Sequence, residues 1–306
     1  MEQNKLCLGT VQFGLKYGVN NELGRQPTQA ECDAVLRAAL DAGIRCFDTA
    51  SAYGMAETVL GNFGLSKQCD SLQKPVRIIS KLKPDCRDDE DTVLNEISES
   101  LSRLHAEKLY GYMLHRASDM RRERIMAGLL RAKECGLIDH IGVSVYEPQE
   151  AMEVVRDERL DMIQAPYNIL DTRLDRIDFF PLARKRGLEV YARSAFLQGL
   201  ILMEPEKAEK KVEGSGAYVK SFREIAGKYG FAPNEAAFLW SYCHPSIDYV
   251  VFGVDTVVQL EEDMSILNRA VEFSACMEEL TRVLSSRDVP RKVIVPSLWR
   301  QGNGPE

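Results

Sequence analysis

Short apolar segments alternate with longer amphipathic segments along almost the whole chain. Eight segments are rich in apolar and β-branched residues, and most of them end in small or polar residues. They span 5–12, 45–50, 76–82, 108–115, 140–146, 161–168, 188–195 and 248–254. Nearly continuous apolar runs of this length are typical of strands that are covered on both faces, as in a parallel sheet. The pattern therefore predicts eight buried strands.

The segments between the predicted strands follow the period of an α-helix. Residues 28–43 begin with Thr28, a favourable N-cap residue, and end at Gly43. Residues 91–106 place their apolar side chains on one helical face, and residues 121–136 do the same before another glycine. Helices are therefore expected between the strands.

Strands that alternate with helices predict an α/β fold, and eight such pairs predict a (β/α)8 TIM barrel. A barrel of this class reaches 306 residues as one domain, so residues 1–306 are expected to form a single domain. Two segments are additional to the repeating pattern. A long charged loop at 197–218 is either a solvated insertion or a lid over a ligand, and a C-terminal helical tail is expected at 270–306.

Composition and charge exclude several classes of function. The net charge is -7, which argues against binding to nucleic acid. The eight cysteines form neither a CxxC pair nor a zinc-binding spacing, so no metal site is expected and a reducing compartment is indicated. The N-terminal residues do not resemble a signal peptide, and no apolar run approaches the roughly 20 residues of a membrane span. A cytoplasmic protein without a membrane partner is expected.

Ionisable side chains occur at the ends of three consecutive predicted strands. Asp48 ends the second strand, and Tyr53 lies in the loop that follows it. Lys81 ends the third strand and His115 the fourth. Each residue alone has an ordinary explanation, such as a turn, a solvated lysine or a core histidine. Because the active site of a (β/α)8 barrel lies at the C-terminal ends of its strands, the four together predict a catalytic site.

The segments CFDTASAYG, IISKL, SLSRLHAEKLYGYMLHR, IGVSVY and QAPYNILD resemble, in order and spacing, the successive signatures of the aldo-keto reductases. The resemblance extends over about residues 5–270. It implies a bacterial aldo/keto reductase-like enzyme that interconverts a carbonyl group (aldehyde, ketone or sugar) and an alcohol with NAD(P)H. By this resemblance, the family's catalytic tetrad corresponds to Asp48, Tyr53, Lys81 and His115.

The four side chains suit the chemistry that the resemblance implies. A phenol with a pKa of about 10 is a weak acid at neutral pH, and a nearby ammonium group lowers that pKa. Lys81 is therefore expected to lower the pKa of Tyr53, while Asp48 keeps Lys81 charged. Tyr53 would donate the proton in reduction and accept it in oxidation. His115 would orient the substrate oxygen.

The resemblance also implies a nicotinamide cofactor, NADP or NAD, extended across the barrel mouth, since no Gly-x-Gly-x-x-Gly motif follows the first strand. By family position, Ser144, Gln164 and Asn168 would contact the amide and the nicotinamide. Ser194, Leu197 and Gly199 would lie along the pyrophosphate. The adenosine would be surrounded by Gly253, Gln259, Glu262 and Asp263. Gly9 and Thr10, at the end of the first strand, are also expected to bind the cofactor.

Two positions depart from the family pattern. Arg193 replaces the aromatic residue that commonly stacks on the nicotinamide, and its flat guanidinium is able to stack in the same way. Asp255 stands where an arginine is common, and residues 250–268 contain no Lys or Arg. NADPH-specific binding is therefore doubtful, and NADH preference or dual use is expected. The alternative is that the lid supplies the missing charge through Lys207, Lys210 or Lys211.

Other functions are compatible with the same residues. The chain could be a nucleotide-sensing binding protein, or an epimerase or lyase that uses Tyr53 and Lys81 for proton transfer without net oxidation. The polar loop after the first strand favours a polar, hydroxylated substrate such as a sugar or a nucleotide-sugar. The oligomeric state is left open by the sequence.

Overall fold

Eight parallel strands close into a barrel in sequence order, and the last strand pairs with the first. The computed structural model describes residues 4–16, 24–68, 75–285 and 287–299. The strands are β1 (Leu6–Gly9), β2 (Cys46–Asp48), β3 (Arg77–Lys81), β4 (Leu109–Leu114), β5 (Ile138–Ser144), β6 (Met162–Pro166), β7 (Glu189–Arg193) and β8 (Tyr249–Phe252). Each lies within one of the predicted segments or overlaps it, so the predicted (β/α)8 barrel is confirmed.

Helices lie between the strands and beyond the last one. They are α1 (Val11–Gly14), α2 (Gln29–Asp41), α3 (Ala56–Phe63), α4 (Glu90–Arg103), α5 (Glu123–Glu134), α6 (Pro148–Arg156), α7 (Phe179–Arg186), α8 (Pro205–Lys211), α9 (Gly216–Lys228), α10 (Pro233–Tyr242), α11 (Val257–Ile266), α12 (Ser274–Leu280) and α13 (Arg291–Ile294). Thr28 is the N-cap residue of α2, as predicted, and forms a capping box with Glu31. No helix of the described part is long and apolar enough to cross a membrane.

The strands place every second side chain inside the barrel, because strand side chains alternate between the two faces. One interior layer is a buried cluster of Cys7, Cys46, Ile79, Met113, Met162, Tyr191 and Tyr249. Met162 lies over the glycines of β4 and β5, where a β-carbon on Gly142 would be 2.3 Å from its Cγ atom. The residues two positions further along the same strands form the next layer, at the barrel mouth.

A hydrogen-bonded group closes the opposite end of the barrel. The guanidinium of Arg77 donates to the Tyr249 hydroxyl at 2.6 Å and to Glu189 at 3.2 Å. The hydroxyl groups of Tyr110 and Tyr191 donate to the same carboxylate at 2.7 Å and 2.9 Å. We call these five residues the barrel floor. Since the barrel floor satisfies its own polar groups, it is a structural feature of the fold.

The segment 197–218, expected to be a charged loop, is mainly helical. Residues 197–202 form two short helical turns with a kink between them at Gln198 and Gly199, helix α8 follows, and α9 begins at Gly216. Helix α8 has a proline at its N-terminal turn, a position that favours helix initiation. The described part of the tail after 270 contains the short helices α12 and α13.

Candidate active site

A cavity of about 440 Å³ opens at the C-terminal ends of the barrel strands. Its lining includes the mouth layer of the barrel, which is made by Gly9, Asp48, Lys81, His115, Gln164, Arg193 and Val251. Tyr53 reaches the same cavity from the loop after β2. The four residues predicted to be catalytic therefore line one cavity, because β2, β3 and β4 are neighbours in the barrel.

A buried ion pair lies at the base of the cavity. The Nζ atom of Lys81 donates to Oδ1 of Asp48 at 2.6 Å and to the main-chain oxygen of Thr49 at 2.9 Å. The side-chain amide of Gln164 donates to the same Oδ1 atom at 2.7 Å. Burial is the largest influence on the pKa of Lys81 and lowers it, but the charge and hydrogen bond of Asp48 act together with other nearby groups and raise the pKa above its usual value. Lys81 is therefore charged at neutral pH.

Tyr53 lies beside this ion pair, with the Nζ atom of Lys81 5.1 Å from the centre of its ring. Burial raises the pKa of the Tyr53 phenol, and the charge of Lys81 opposes that effect without cancelling it. The influence of Lys81 thus has the expected direction, whereas the resulting pKa lies above its ordinary value of 10.0. At neutral pH the phenol is consequently protonated.

His115 faces Tyr53 across the cavity. The two rings are 6.0 Å apart between centroids and nearly perpendicular, at 89°. Burial, followed by the positive charge of Lys81, lowers the pKa of His115 to about 4, so the imidazole is neutral at pH 7. Its Nδ1 atom is buried and has no hydrogen-bond partner among the described residues. A neutral imidazole in this position is able to donate one hydrogen bond into the cavity.

Twelve of the residues expected to bind the cofactor line this cavity. They are Gly9, Thr10, Ser144, Gln164, Arg193, Ser194, Gly199, Gly253, Asp255, Gln259, Glu262 and Asp263. Sequence reasoning missed other lining residues, among them Phe196 and Asn234. Asn234 belongs to the first turn of α10, a helix that the sequence pattern had not singled out.

Asn168 and Leu197 do not line the cavity. The side chain of Asn168 is fully buried and accepts hydrogen bonds from the main-chain N–H groups of Leu170 and Asp171, each at 3.0 Å. Its amide nitrogen donates to the main-chain oxygen of Ser194 at 3.1 Å. Leu197 is packed in the apolar core. Asn168 thus supports the loop after β7 from behind, and Leu197 anchors that loop in the core, so neither side chain belongs to the described cavity lining.

The loop after β7 has an unusual backbone. Ser194, Leu197 and Gln198 have positive φ angles of 66°, 46° and 51°, and Gly199 follows with 87°. Such angles are uncommon for residues other than glycine and carry a conformational cost. Strain of this kind persists where the surrounding structure imposes it, often at ligand sites. The loop borders the cavity through Ser194, Gln198 and Gly199.

A buried polar atom that has no hydrogen-bond partner in the described residues is available to a ligand in the cavity. The Oε1 atom of Gln12 is buried and has no hydrogen-bond partner in the described part of the chain. This side chain lies against Gly253, where a β-carbon would be 2.3 Å from its Nε2 atom. Ser144 and Gln164 add buried polar side chains to the lining. An elongated cavity with such groups fits a nicotinamide nucleotide.

Charge is unevenly distributed around the cavity. Within the described residues, the cationic side chains of the lining are Lys81 and Arg193, both in the mouth layer of the barrel. The lining contributed by the segment after β8 carries three acidic residues, Asp255, Glu262 and Asp263. Burial, and to a lesser degree the charge of Glu262, raises the pKa of Asp263 to about 7. This end of the cavity is therefore acidic.

The lysines proposed to supply the missing positive charge do not line the cavity. Lys207, Lys210 and Lys211 are exposed residues of α8. None of them belongs to the cavity lining that the structure describes. These three lysines therefore add no positive charge to the described lining of the acidic end.

Comparisons with known proteins agree with the fold. Residues 5–280 match the Aldo/keto reductase family. The chain is 24% identical to the uncharacterized oxidoreductase YrpG of Bacillus subtilis, over 92% of this chain and 91% of that protein. It is also 24% identical to the L-glyceraldehyde 3-phosphate reductase of Escherichia coli O157:H7, over 88% and 87% of the two chains.

Among solved structures, the holo form of the aldo-keto reductase AKR11C1 from Bacillus halodurans has a similar fold. Its TM-score is 0.72 at 19% sequence identity, and the match covers 90% of this chain and 91% of that one. The family match extends over nearly all of the barrel. The chain therefore belongs to the aldo/keto reductase family and is an NAD(P)-dependent oxidoreductase.

Proposed function

We propose that this enzyme interconverts a carbonyl group and an alcohol, with Tyr53 as the general acid and base. One observation carries the proposal: a protonated phenol lies 5.1 Å, ring centre to Nζ, from a buried, charged lysine inside the cavity. A carbonyl oxygen becomes negative as it is reduced, and it then needs a proton donor within hydrogen-bonding distance. The substrate is a small aldehyde, ketone or sugar.

Each side chain has a separate role in this proposal. Tyr53 donates its proton to the oxygen of the carbonyl group, and the charge of Lys81 stabilises the phenolate that remains. Asp48, held by Lys81 and Gln164, keeps the lysine charged and oriented. His115 is neutral and donates a hydrogen bond that positions the same oxygen. When bound, the nicotinamide nucleotide supplies or accepts the hydride.

The nucleotide would lie along the polar lining of the cavity. We assign the carboxamide to Ser144 and Gln164, the pyrophosphate to the loop between Ser194 and Gly199, and the adenosine to the segment after β8 from Gly253 to Asp263. The supporting observations are the buried polar groups of β5 and β6 and the strained backbone after β7. Glycine at 253 also allows a close approach of the ligand or of Gln12 to the backbone.

The acidic end of the cavity favours NADH over NADPH. A 2′-phosphate dianion placed near Asp255 and Glu262 would be repelled, whereas a ribose hydroxyl is able to donate a hydrogen bond to a carboxylate. In this cavity the described cations are Lys81 and Arg193, which both belong to the mouth layer of the barrel. The absence of Lys and Arg from 250–268 in the sequence supports the same preference.

Tyr53→Phe tests the proposed reaction. The variant removes one hydroxyl group, so we expect its affinity for NADH, measured by fluorescence titration, to equal that of the wild type. The rate of aldehyde reduction with NADH should fall at least a thousandfold. Undiminished turnover would refute the role of Tyr53. If the wild-type protein binds NADH but no aldehyde or sugar causes NADH to be oxidised, the nucleotide-sensing alternative is favoured. Conversion of a substrate without net NADH oxidation would favour an epimerase or lyase.

Asp255→Arg tests the nucleotide preference. We expect the wild type to bind NADH more tightly than NADPH, and the variant to gain affinity for NADPH by about tenfold, because one repulsive charge becomes an attractive one. Glu158→Arg, which makes the same change of charge at an exposed position outside the cavity, is the matched control. Tighter binding of NADPH by the wild type would show that the preference is wrong.

A further inference from the structure

Arg193 is a fixed cation in the cavity wall. Its guanidinium lies over the ring of Tyr146, with 4.2 Å from Cζ to the ring centroid, and its Nη2 atom donates to the main-chain oxygen of Val145 at 3.0 Å. A longer contact of 3.4 Å joins Nη1 to the hydroxyl of Ser194. A guanidinium has five N–H donors, so this arrangement orients the group and leaves donors for a ligand.

No carboxylate of the described residues forms an ion pair with Arg193 within 4.0 Å. The neighbouring Arg173 shows the contrast, because its guanidinium is paired with Asp171 at 2.7 Å and with Glu147 at 2.8 Å. The two arginines lie close in the fold, but the nearby carboxylates of Asp171 and Glu147 are both bound to Arg173. Arg193 is left facing the cavity that it lines.

The charge of Arg193 acts on the reacting groups. It lowers the pKa of both Tyr53 and His115, although burial is the largest influence on each. The other two charged groups of this region are Lys81 and Asp48. They form an ion pair with 2.6 Å between Nζ and Oδ1, so their charges offset each other. Because His115 is neutral at pH 7, Arg193 is the charged group of this region that has no ion-pair partner among the described residues, although its charge also acts on the buried Asp171.

We propose that Arg193 selects the substrate, and that the natural substrate is a carbonyl compound that carries an anionic group, either a carboxylate or a phosphate. The inference rests on the proposed carbonyl reduction and specifies its substrate class. An oriented guanidinium binds both kinds of anion through paired N–H donors, so the shared chemistry is a planar or tetrahedral oxyanion. Tyr146, 49% exposed beneath the guanidinium, forms the outer part of the same subsite.

Substrate pairs that differ by one anionic group test the inference and separate the two anions. The carboxylate arm compares succinic semialdehyde with its methyl ester, and the phosphate arm compares glyceraldehyde 3-phosphate with glyceraldehyde. The ratio of kcat/KM within each pair is measured for the wild type, Arg193→Met and Arg193→Lys. Arg156→Met is the control, because Arg156 is exposed at the end of α6 and lies outside the cavity lining.

We expect the wild type to prefer the anionic member of at least one pair, and Arg193→Met to reduce that preference by about ten- to a hundredfold, as for loss of a hydrogen bond to a charged group. Arg193→Lys should restore part of it, and Arg156→Met should leave it unchanged. The preference should also weaken at 1 M salt, since screening acts on exposed charges. Equal ratios in the wild type and Arg193→Met would overturn the proposal.

A binding titration keeps the inference separate from the proposed reaction. Succinate and inorganic phosphate are titrated into the NADH-saturated protein, and binding is followed by fluorescence, without turnover. Binding of either anion that is lost in Arg193→Met supports the subsite, even if no aldehyde is reduced and the proposed reaction fails. If neither anion binds, or if Arg193→Met weakens only NADH binding, Arg193 acts on the nucleotide and the inference is wrong.

Discussion

Gly14 lies directly against the main chain of Tyr53. A β-carbon at Gly14 would be 1.6 Å from the carbonyl oxygen of Tyr53 and 2.8 Å from the nitrogen of Ala56. The backbone of α1 thus sets the position of the loop that carries the proposed acid. Gly54 completes the contact, since a β-carbon there would be 2.4 Å from the oxygen of Gly14.

Gly14→Ala is expected to lower kcat at least tenfold, because the methyl group must push the Tyr53 loop away from Lys81. A displacement of about 1 Å at a catalytic group is able to cost about a hundredfold in rate. Steady-state kinetics at saturating substrate and thermal unfolding check the effect. The control is Gly227→Ala at an exposed position of α9, where a β-carbon meets nothing within 4 Å. That variant should keep its activity and gain about 0.5–1 kcal/mol of stability. Wild-type kcat in Gly14→Ala would contradict the close contact.

Lys81→Met is expected to destabilise the fold strongly, because Asp48 would remain buried without its cation. Breaking such a pair costs about 3–5 kcal/mol. The double variant with Asp48→Asn removes both charges and should recover part of the loss. Urea unfolding of the wild type, both single variants and the double variant gives the coupling energy. Purely additive losses would mean that the two side chains do not stabilise each other.

His115 is expected to titrate near pH 4, because burial and Lys81 lower its pKa from the ordinary 6.5. Between these values the unfolded chain binds a proton that the folded protein rejects, so stability falls as the pH drops from 6.5 towards 4. The NMR signal of the His115 ring, assigned with His115→Asn, gives the pKa directly. An apparent pKa near 6.5 would show that the imidazole is not desolvated.

Asp263→Asn is expected to stabilise the protein at pH 8 and to have little effect near pH 4. The folded carboxyl has a pKa of about 7 against an ordinary 3.8. The unfolded chain therefore loses this proton first, and the folded state becomes less stable as the pH rises from about 4 to 7. Asparagine cannot ionise, so the variant does not lose folding stability over this pH range. Urea midpoints at both pH values check the difference, with the exposed Glu261→Gln as control. A gain that is independent of pH would contradict the assignment.

The fold was predictable because each strand carries its own signal. Residues 108–115 and 161–168 are apolar runs bounded by polar residues, and such runs have few alternatives once helices separate them. The same periodicity placed Lys81 and His115 at strand ends. The helical character of 197–218 was missed because its charges were read as those of a solvated loop, although Pro205 at the first turn of α8 is a helix-initiation signal.

Parts of the site depend on packing, which a sequence pattern does not contain. Asn168 has the residue type expected of a ligand contact, but its hydrogen bonds to Leu170 and Asp171 are formed within its own turn. Asn234 reaches the cavity only because α10 packs beside the barrel mouth. The pKa of Tyr53 depends on a balance between burial and Lys81. The charge of a neighbour is visible in the sequence, whereas the depth of burial is not.

The barrel floor and the apolar layer above it also set the route that molecules take. Arg77 and Glu189 close one end, and Met162 fills the interior between that end and the described cavity. A solute that reaches Tyr53 therefore leaves through the opening by which it arrived.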